Sequence, residues 1–156
     1  MNLSSRQAVT LWAAAGLLIV ALAVPGAQAL DKPGTISVTD SELRHAHIDL
    51  GAPGPSIGDL DVYSSLIYNT HITPRSIGRG TMSCIAVSLS NQNCSATYVL
   101  PRGEIVVEGV IGSRLIYQMA VVGGTGLYNN VRGSLTVTSL HRRRPTRELL
   151  VFRLVV

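Results

Sequence analysis

Three residues offer reactive side chains from within short apolar segments: Glu108, Arg79 and Tyr98. Glu108 follows Glu104-Ile105-Val106-Val107. Turned inward, a carboxylate in such a segment has a raised pKa and serves as an acid. Ile105, Val107 and Ile111 make the more apolar parity, which turns Glu108 outward. Arg79 can hold an anionic or phenolic ligand if it is buried; on a rim it is merely solvated. Tyr98, Tyr63 and Tyr117 fall mid-strand. Inward, their hydroxyls would be the few orienting polar groups of an apolar pocket; outward, they would belong to an oligomer interface. Glu108, Arg79 and Tyr98 are therefore the candidate catalytic set, with Tyr63, Met82, Tyr117 and Asp59 as candidate ligand-binding residues. Asp59 has a competing structural role, since an acid after Gly58 at a strand start satisfies turn N–H groups.

Other chemistries are weakly represented. His45-x-His47 puts two imidazoles on one strand face, but no third ligand is near in sequence, so no metal is expected. No Ser-His-Asp order, Walker loop or C-x-x-C occurs. Gly124-Thr125-Gly126 starts like a dinucleotide fingerprint, but the third glycine position is Asn129 and no βαβ unit surrounds it. No cofactor is expected. Asp40 and Glu42 read as solvated strand carboxylates. Cys84 and Cys94, an even pair in a chain with an export signal, read as a disulfide rather than two free thiols.

The elements that would position these residues are strands. Residues 1–29 have the pattern of a secretory signal peptide: Arg6, an apolar run from Leu11 to Val24, and Ala27-Gln28-Ala29 as the cleavage site. That reading gives two segments, a signal of 1–29 and a domain of 30–156, and a secreted or periplasmic location; an uncleaved anchor is the alternative. Removing Arg6 lowers the formal charge from +4 by one. The basic excess sits in Arg142-Arg143-Arg144 and Arg147 beside Pro145, which reads as a solvated turn and not as a nucleic-acid surface. The domain has one Phe, so its core is built from Val, Ile and Leu.

Eight short strands separated by turn residues run from Thr35 to Val156: 35–50, 57–68, 77–89, 94–100, 104–111, 114–122, 134–140 and 147–156. Ser90 to Asn93 reads as a hairpin turn. Such spacing means a sandwich or a barrel, and eight antiparallel strands can close and abolish their edges. Leu149 to Val156 is apolar on both parities except at Arg153, which asks for cover from a second subunit. Val121 to Gly133 carries Gly123, Gly124, Gly126 and Gly133, and reads as a crossing where backbone needs φ > 0 or close approach.

In order along the chain come Ile57-Gly58-Asp59-Leu60, Leu66-Ile67-Tyr68-Asn69, Ile77-Gly78-Arg79-Gly80 leading to Ser83-Cys84, Leu100-Pro101-Arg102-Gly103-Glu104 through Gly109, and Ala120 through Gly133. Over Ile57 to Val156 this resembles the allene oxide cyclase and dirigent barrels, in particular their exported bacterial branch. The resemblance implies an all-β, eight-stranded antiparallel up-and-down β-barrel with an apolar cavity, forming a trimer or dimer. It implies cyclisation or stereochemical direction of an apolar or phenolic small molecule without a cofactor; the alternatives are a carrier of such a molecule with no reaction, and a structural or envelope-associated protein whose outer face drives assembly. It matches Arg79 to the Gly-Arg of dirigent proteins and Cys84 to a cavity cysteine of the cyclases. It also points to a carboxylate on the first strand, where Asp40 and Glu42 lie.

Overall fold

The computed structural model describes residues 34–71, 74–141 and 145–156. The expected signal segment, residues 1–29, and Arg142-Arg143-Arg144 lie outside the described residues. Eight strands form one closed antiparallel barrel: β1 (Gly34–Ile48), β2 (Leu60–Asn69), β3 (Gly78–Ala86), β4 (Asn91–Leu100), β5 (Gly103–Gly112), β6 (Ile116–Gly124), β7 (Arg132–His141) and β8 (Arg147–Val155). Each strand pairs with its sequence neighbours, and β1 closes on β8, with Ile36 opposite Phe152 and Asp40 opposite Glu148. The expected up-and-down barrel is the observed fold.

Alternation decides what faces inward. On β8, Leu150, Phe152 and Leu154 are buried. On β5, Ile105 and Val107 are buried and Glu108 is exposed, as parity requires. On β2 the inward set is Asp61, Tyr63, Ser65 and Ile67, while Val62 is exposed outside. The more polar parity of this strand thus faces the interior.

The first strand is the irregular one. Glu42 pairs with Ser65 and Arg44 with Ser64, so Leu43 is an extra residue in β1. A bulge of this kind shifts the alternation by one. Asp40 and Glu42 point inward before it, and His45 and His47 point inward after it. Without the bulge, even-numbered residues would continue on the inner face and Arg44 would replace His45.

The hairpin that carries the cysteines turns earlier than its composition indicates. β3 ends at Ala86, whose N–H and C=O bond to the β1–β2 connection (Ala86 N to Asp59 O, 2.9 Å; Gly58 N to Ala86 O, 2.8 Å). The chain reverses over Val87 to Ser90, and Asn91 already lies in β4. This register sets Cys84 directly opposite Cys94, and the two form a buried disulfide inside the barrel.

The glycine stretch closes one end. Gly123 and Gly124 finish β6, a 3₁₀ turn covers Gly126–Tyr128, and Tyr128 and Val131 are buried across the opening. A Cβ on Gly124 would lie 2.5 Å from the carbonyl oxygens of both Glu104 and Tyr128. Gly126 has φ +60° and would meet Arg102 O at 2.4 Å. These positions require glycine because backbone passes too close for any side chain.

Candidate functional site

The other end is open. A cavity of about 840 Å³ enters between the β1–β2, β3–β4, β5–β6 and β7–β8 connections and descends to Tyr98. Its floor is apolar: Tyr98 packs edge-on against Phe152, with ring centroids 5.4 Å apart. Below lie Ile67, Ile105, Leu135 and Leu150, all fully buried. Its walls are polar, and they hold two distinct groups.

The deeper group is Asp40, Ser65, Tyr98, Tyr117 and Glu148. Gly80 on β3 makes room for it. A Cβ there would come within 2.5 Å of Ser65 Oγ and 3.2 Å of both Asp40 Oδ2 and Tyr98 Cδ1. Ser65 donates to Asp40 Oδ2 at 2.5 Å. Burial dominates nonetheless and pushes the Asp40 carboxyl from its ordinary 3.8 up to about 7, with repulsion from Glu148 and Glu42 adding to it. Burial also raises Glu148, which accepts a 3.3 Å hydrogen bond from the Tyr117 hydroxyl. Asp40 and Glu148 face each other directly across the β1–β8 seam, an arrangement that disfavours two simultaneous charges. Burial raises Tyr98 and Tyr117 above the usual phenol range, so both are neutral donors.

The group nearer the mouth is centred on Asp61. Its Oδ1 takes hydrogen bonds from His45 Nε2 (2.7 Å) and His47 Nδ1 (2.9 Å), and its Oδ2 takes one from Gln92 Nε2 (2.5 Å). Burial works against its charge, but the His45, His47 and Gln92 bonds prevail and lower its pKa. His45 stacks on Tyr63 with centroids 4.4 Å apart and planes 2° from parallel. Hydrogen bonding to Asp61 raises His47. Among the described residues, no cluster of three metal-ligating side chains has metal-binding geometry.

Of the residues singled out from sequence, Tyr98, Tyr63, Met82 and Tyr117 line this one cavity. Asp59 stands at its rim, where it accepts from Leu50 N, Ser56 N and Ser56 Oγ and pins the β1–β2 connection. These backbone bonds lower its pKa. Two candidates need correction. Arg79 and Glu108 are exposed on the outer surface, on the opposite parity from Gly80 and Val107, and neither borders the cavity. Asp40, expected to be a solvated strand carboxylate, is instead turned into the cavity by its shared parity with Val38.

Glu148 and Asp61 were not recognisable as a pair of site residues from spacing. The usable signal was parity: Glu148 alternates with Leu150, Phe152 and Leu154, and Asp61 with Tyr63, Ser65 and Ile67.

Known structures share this architecture. A pyocyanin demethylase superposes over 78% of this chain and 100% of its own, with TM-score 0.66 and 26% identity. The neighbours are cyclase-type and dirigent barrels. A pterocarpan synthase dirigent protein matches over 79% of this chain and 86% of its own, at TM-score 0.63 and 11% identity. A Diels Alderase from Streptomyces koyangensis matches over 80% and 70%, at TM-score 0.57 and 12% identity. No family model and no curated protein matches the sequence.

Proposed function

We propose that this barrel is a cofactor-independent enzyme of the isomerase or cyclase type, acting on an apolar or phenolic small molecule held over the Tyr98–Phe152 floor. The observation that carries this reading is Asp40, a carboxyl buried in the cavity wall and protonated up to about pH 7. Such a group can donate a proton to a carbonyl, epoxide or ring atom and recover it later in the same turnover, with no redox change. The apolar floor restricts the substrate's conformers, and the Tyr98 and Tyr117 hydroxyls orient it. The dirigent and Diels Alderase neighbours direct or cyclise small molecules on the same fold, which supports the reaction class.

The 26% identity to a pyocyanin demethylase favours a second reading, in which the cavity ligand is pyocyanin or a compound like it. We further assign the protein to the space outside the cytoplasm, supported by the buried Cys84–Cys94 disulfide. We also propose a homo-oligomer. Its support is apolar outer surface such as Val99, Val110 and Ile116.

Native mass spectrometry of protein purified from its source tests the reading, because it reports ligand mass and subunit count together. The captured compound and pyocyanin are then turned over by wild type and by Asp40→Asn. A general acid predicts a loss of roughly 10²–10⁴-fold in kcat for the variant. It also predicts wild-type activity that falls as pH rises through about 7. Unchanged ligand after incubation with wild type, with equal binding by the variant, would make the protein a carrier.

A further inference from the structure

We propose that the open end of the barrel docks onto a lipid bilayer, with the connections around the cavity mouth set into the bilayer surface. The docking goes beyond the catalytic reading and does not depend on it.

The two ends differ in what their turns expose. On three connections of the open end stand Leu50 and Ile57 (β1–β2), Val87 and Leu89 (β3–β4) and Leu115 (β5–β6), all exposed. Leu89 is 83% and Ile57 69% exposed, the two highest values among the exposed large apolar side chains. The described turns of the closed end expose no large apolar side chain; Arg102, Thr125, Asn129 and Asn130 stand there instead.

Built turns hold the apolar side chains out. Ser88 Oγ accepts from Ser90 N (3.3 Å) and Asn91 N (3.1 Å), which fixes the turn that carries Leu89. Asp59 accepts from Leu50 N and Ser56 N, and Asp49 Oδ2 from Gly54 N (2.9 Å), within the connection that carries Leu50 and Ile57. An apolar side chain kept in water by a fixed turn costs free energy that burial against a partner returns.

Their arrangement selects a bilayer over a protein. The side chains stand on separate connections around an open mouth, which Leu89 itself borders. A protein interface needs a continuous patch with a buried centre, and here the centre is a cavity. Lipid closes around each side chain singly. Charge agrees. Arg114 beside Leu115 and Arg147 at the start of β8 are exposed. The one exposed carboxylate on these connections, among the described residues, is Asp49, already bonded to Gly54 N. The other carboxyls of this end line the cavity. Arginines at the rim suit the phosphates of anionic lipid. A second copy placed end to end would set one arginine-bearing rim against another and stop both mouths. On the reading that the cavity holds an apolar molecule, a docked mouth opens onto the phase in which such a molecule dissolves best.

A single tryptophan reports which end meets the lipid. The chain's one tryptophan is Trp12, so Trp12→Phe gives a silent background. In that background Leu89→Trp labels the open end and Arg102→Trp the closed end, both at exposed positions. The full chain is mixed with vesicles of phosphatidylcholine containing about one quarter phosphatidylglycerol. Leu89→Trp emission should move to the blue, and brominated acyl chains should quench it at least ~3-fold more than Arg102→Trp. Adding Ile57→Ser and Leu115→Ser to the Leu89→Trp protein should raise the lipid concentration needed for half of the shift by ~10-fold. Its circular dichroism should not change, because both side chains are exposed.

Equal quenching of the two reporters, or no shift for Leu89→Trp at millimolar lipid, would overturn the docking and leave the catalytic reading standing. An unchanged half-shift concentration in the serine variant would overturn it as well. So would a blue shift without vesicles that grows with protein concentration, which would make this rim a contact between copies of the chain.

Discussion

The two ends of this barrel solve opposite problems with the same strands. At the closed end, inward positions are aliphatic or aromatic, and the 3₁₀ turn lays Tyr128 and Val131 across the opening. Every group there gains by leaving water. At the open end the same inward parity carries Asp40, Glu42, His45, Asp61 and Glu148. Burying these groups costs stability unless each finds a partner. Asp61 has three donors. Asp40 has one and faces Glu148, and it holds its proton instead. The closed end is built for folding. The open end keeps buried carboxyls that folding alone would not retain, which is the pattern expected of a site.

The sharpest way to break the closed end is through its backbone. Gly124→Val would drive a side chain into two carbonyl oxygens 2.5 Å from its Cβ, and both belong to fixed backbone. We expect no folded barrel, read as loss of the soluble fraction and of cooperative unfolding. Gly123→Ala, one residue away, meets nothing within 4 Å and should leave the melting temperature within a degree or two. A soluble, cooperative Gly124→Val protein would show that the end is not held by this close approach.

Packing comes next. Phe152 is fully buried, and its ring supports Tyr98 from below. Phe152→Ala should cost about 3–5 kcal/mol in urea unfolding. It should also loosen ligand binding, because the cavity floor drops. The comparison fails if stability falls but the ligand site is untouched.

Sequence made the closed end more legible than the open one, and the reason is physical. Glycines, turn residues and apolar alternation are local signals, and they gave the eight strands, the barrel and the buried face of β5. Cys84 and Cys94 were readable as a pair from an even count beside an export pattern, although their register was not. The open end depends on strands distant in sequence. Asp40 meets Ser65 25 residues away and Glu148 across the closing seam. Nothing local to Asp40 announces either neighbour. The bulge at Leu43 adds a second obstacle, since it places Glu42 and His45 on one face although their spacing is odd. Arg79 and Glu108 were attractive by residue type, and strand parity puts both outside.

At the open end, Asp40→Asn should raise stability. The carboxyl titrates at about 7 in the folded chain against an ordinary 3.8, so the folded state binds the extra proton between those values. Its favourable contribution is complete below the unfolded pKa and is lost as pH rises through about 7. Above that, the wild type carries a buried charge that asparagine does not, with a ceiling of about 4 kcal/mol by linkage. The variant should therefore have a higher urea midpoint than wild type at pH 8, nearly the same midpoint at pH 4, and much reduced activity. An unchanged midpoint at pH 8 would mean that Asp40 is better solvated than its position in the wall implies.

Asp61 should behave in the opposite sense, with a smaller effect. Its folded pKa is lowered, so its contribution is present above the unfolded value and is lost as pH falls through the folded one. Asp61→Asn keeps the size of the side chain but removes the charge that His45 and His47 share. The variant should lose stability at pH 7 and converge on wild type in acid, the mirror image of Asp40→Asn along the pH axis. Its side chain is only slightly exposed, but it borders an open cavity, so solvent screening keeps the loss below that of Phe152→Ala. Unfolding midpoints of the two variants across the same pH range make the decisive pairing. If both shift in the same direction at pH 7, the two carboxylates share one environment and the cavity wall is not divided as the hydrogen bonds indicate. If they diverge, one strand pair holds an acid kept neutral by its surroundings beside another kept charged by its partners.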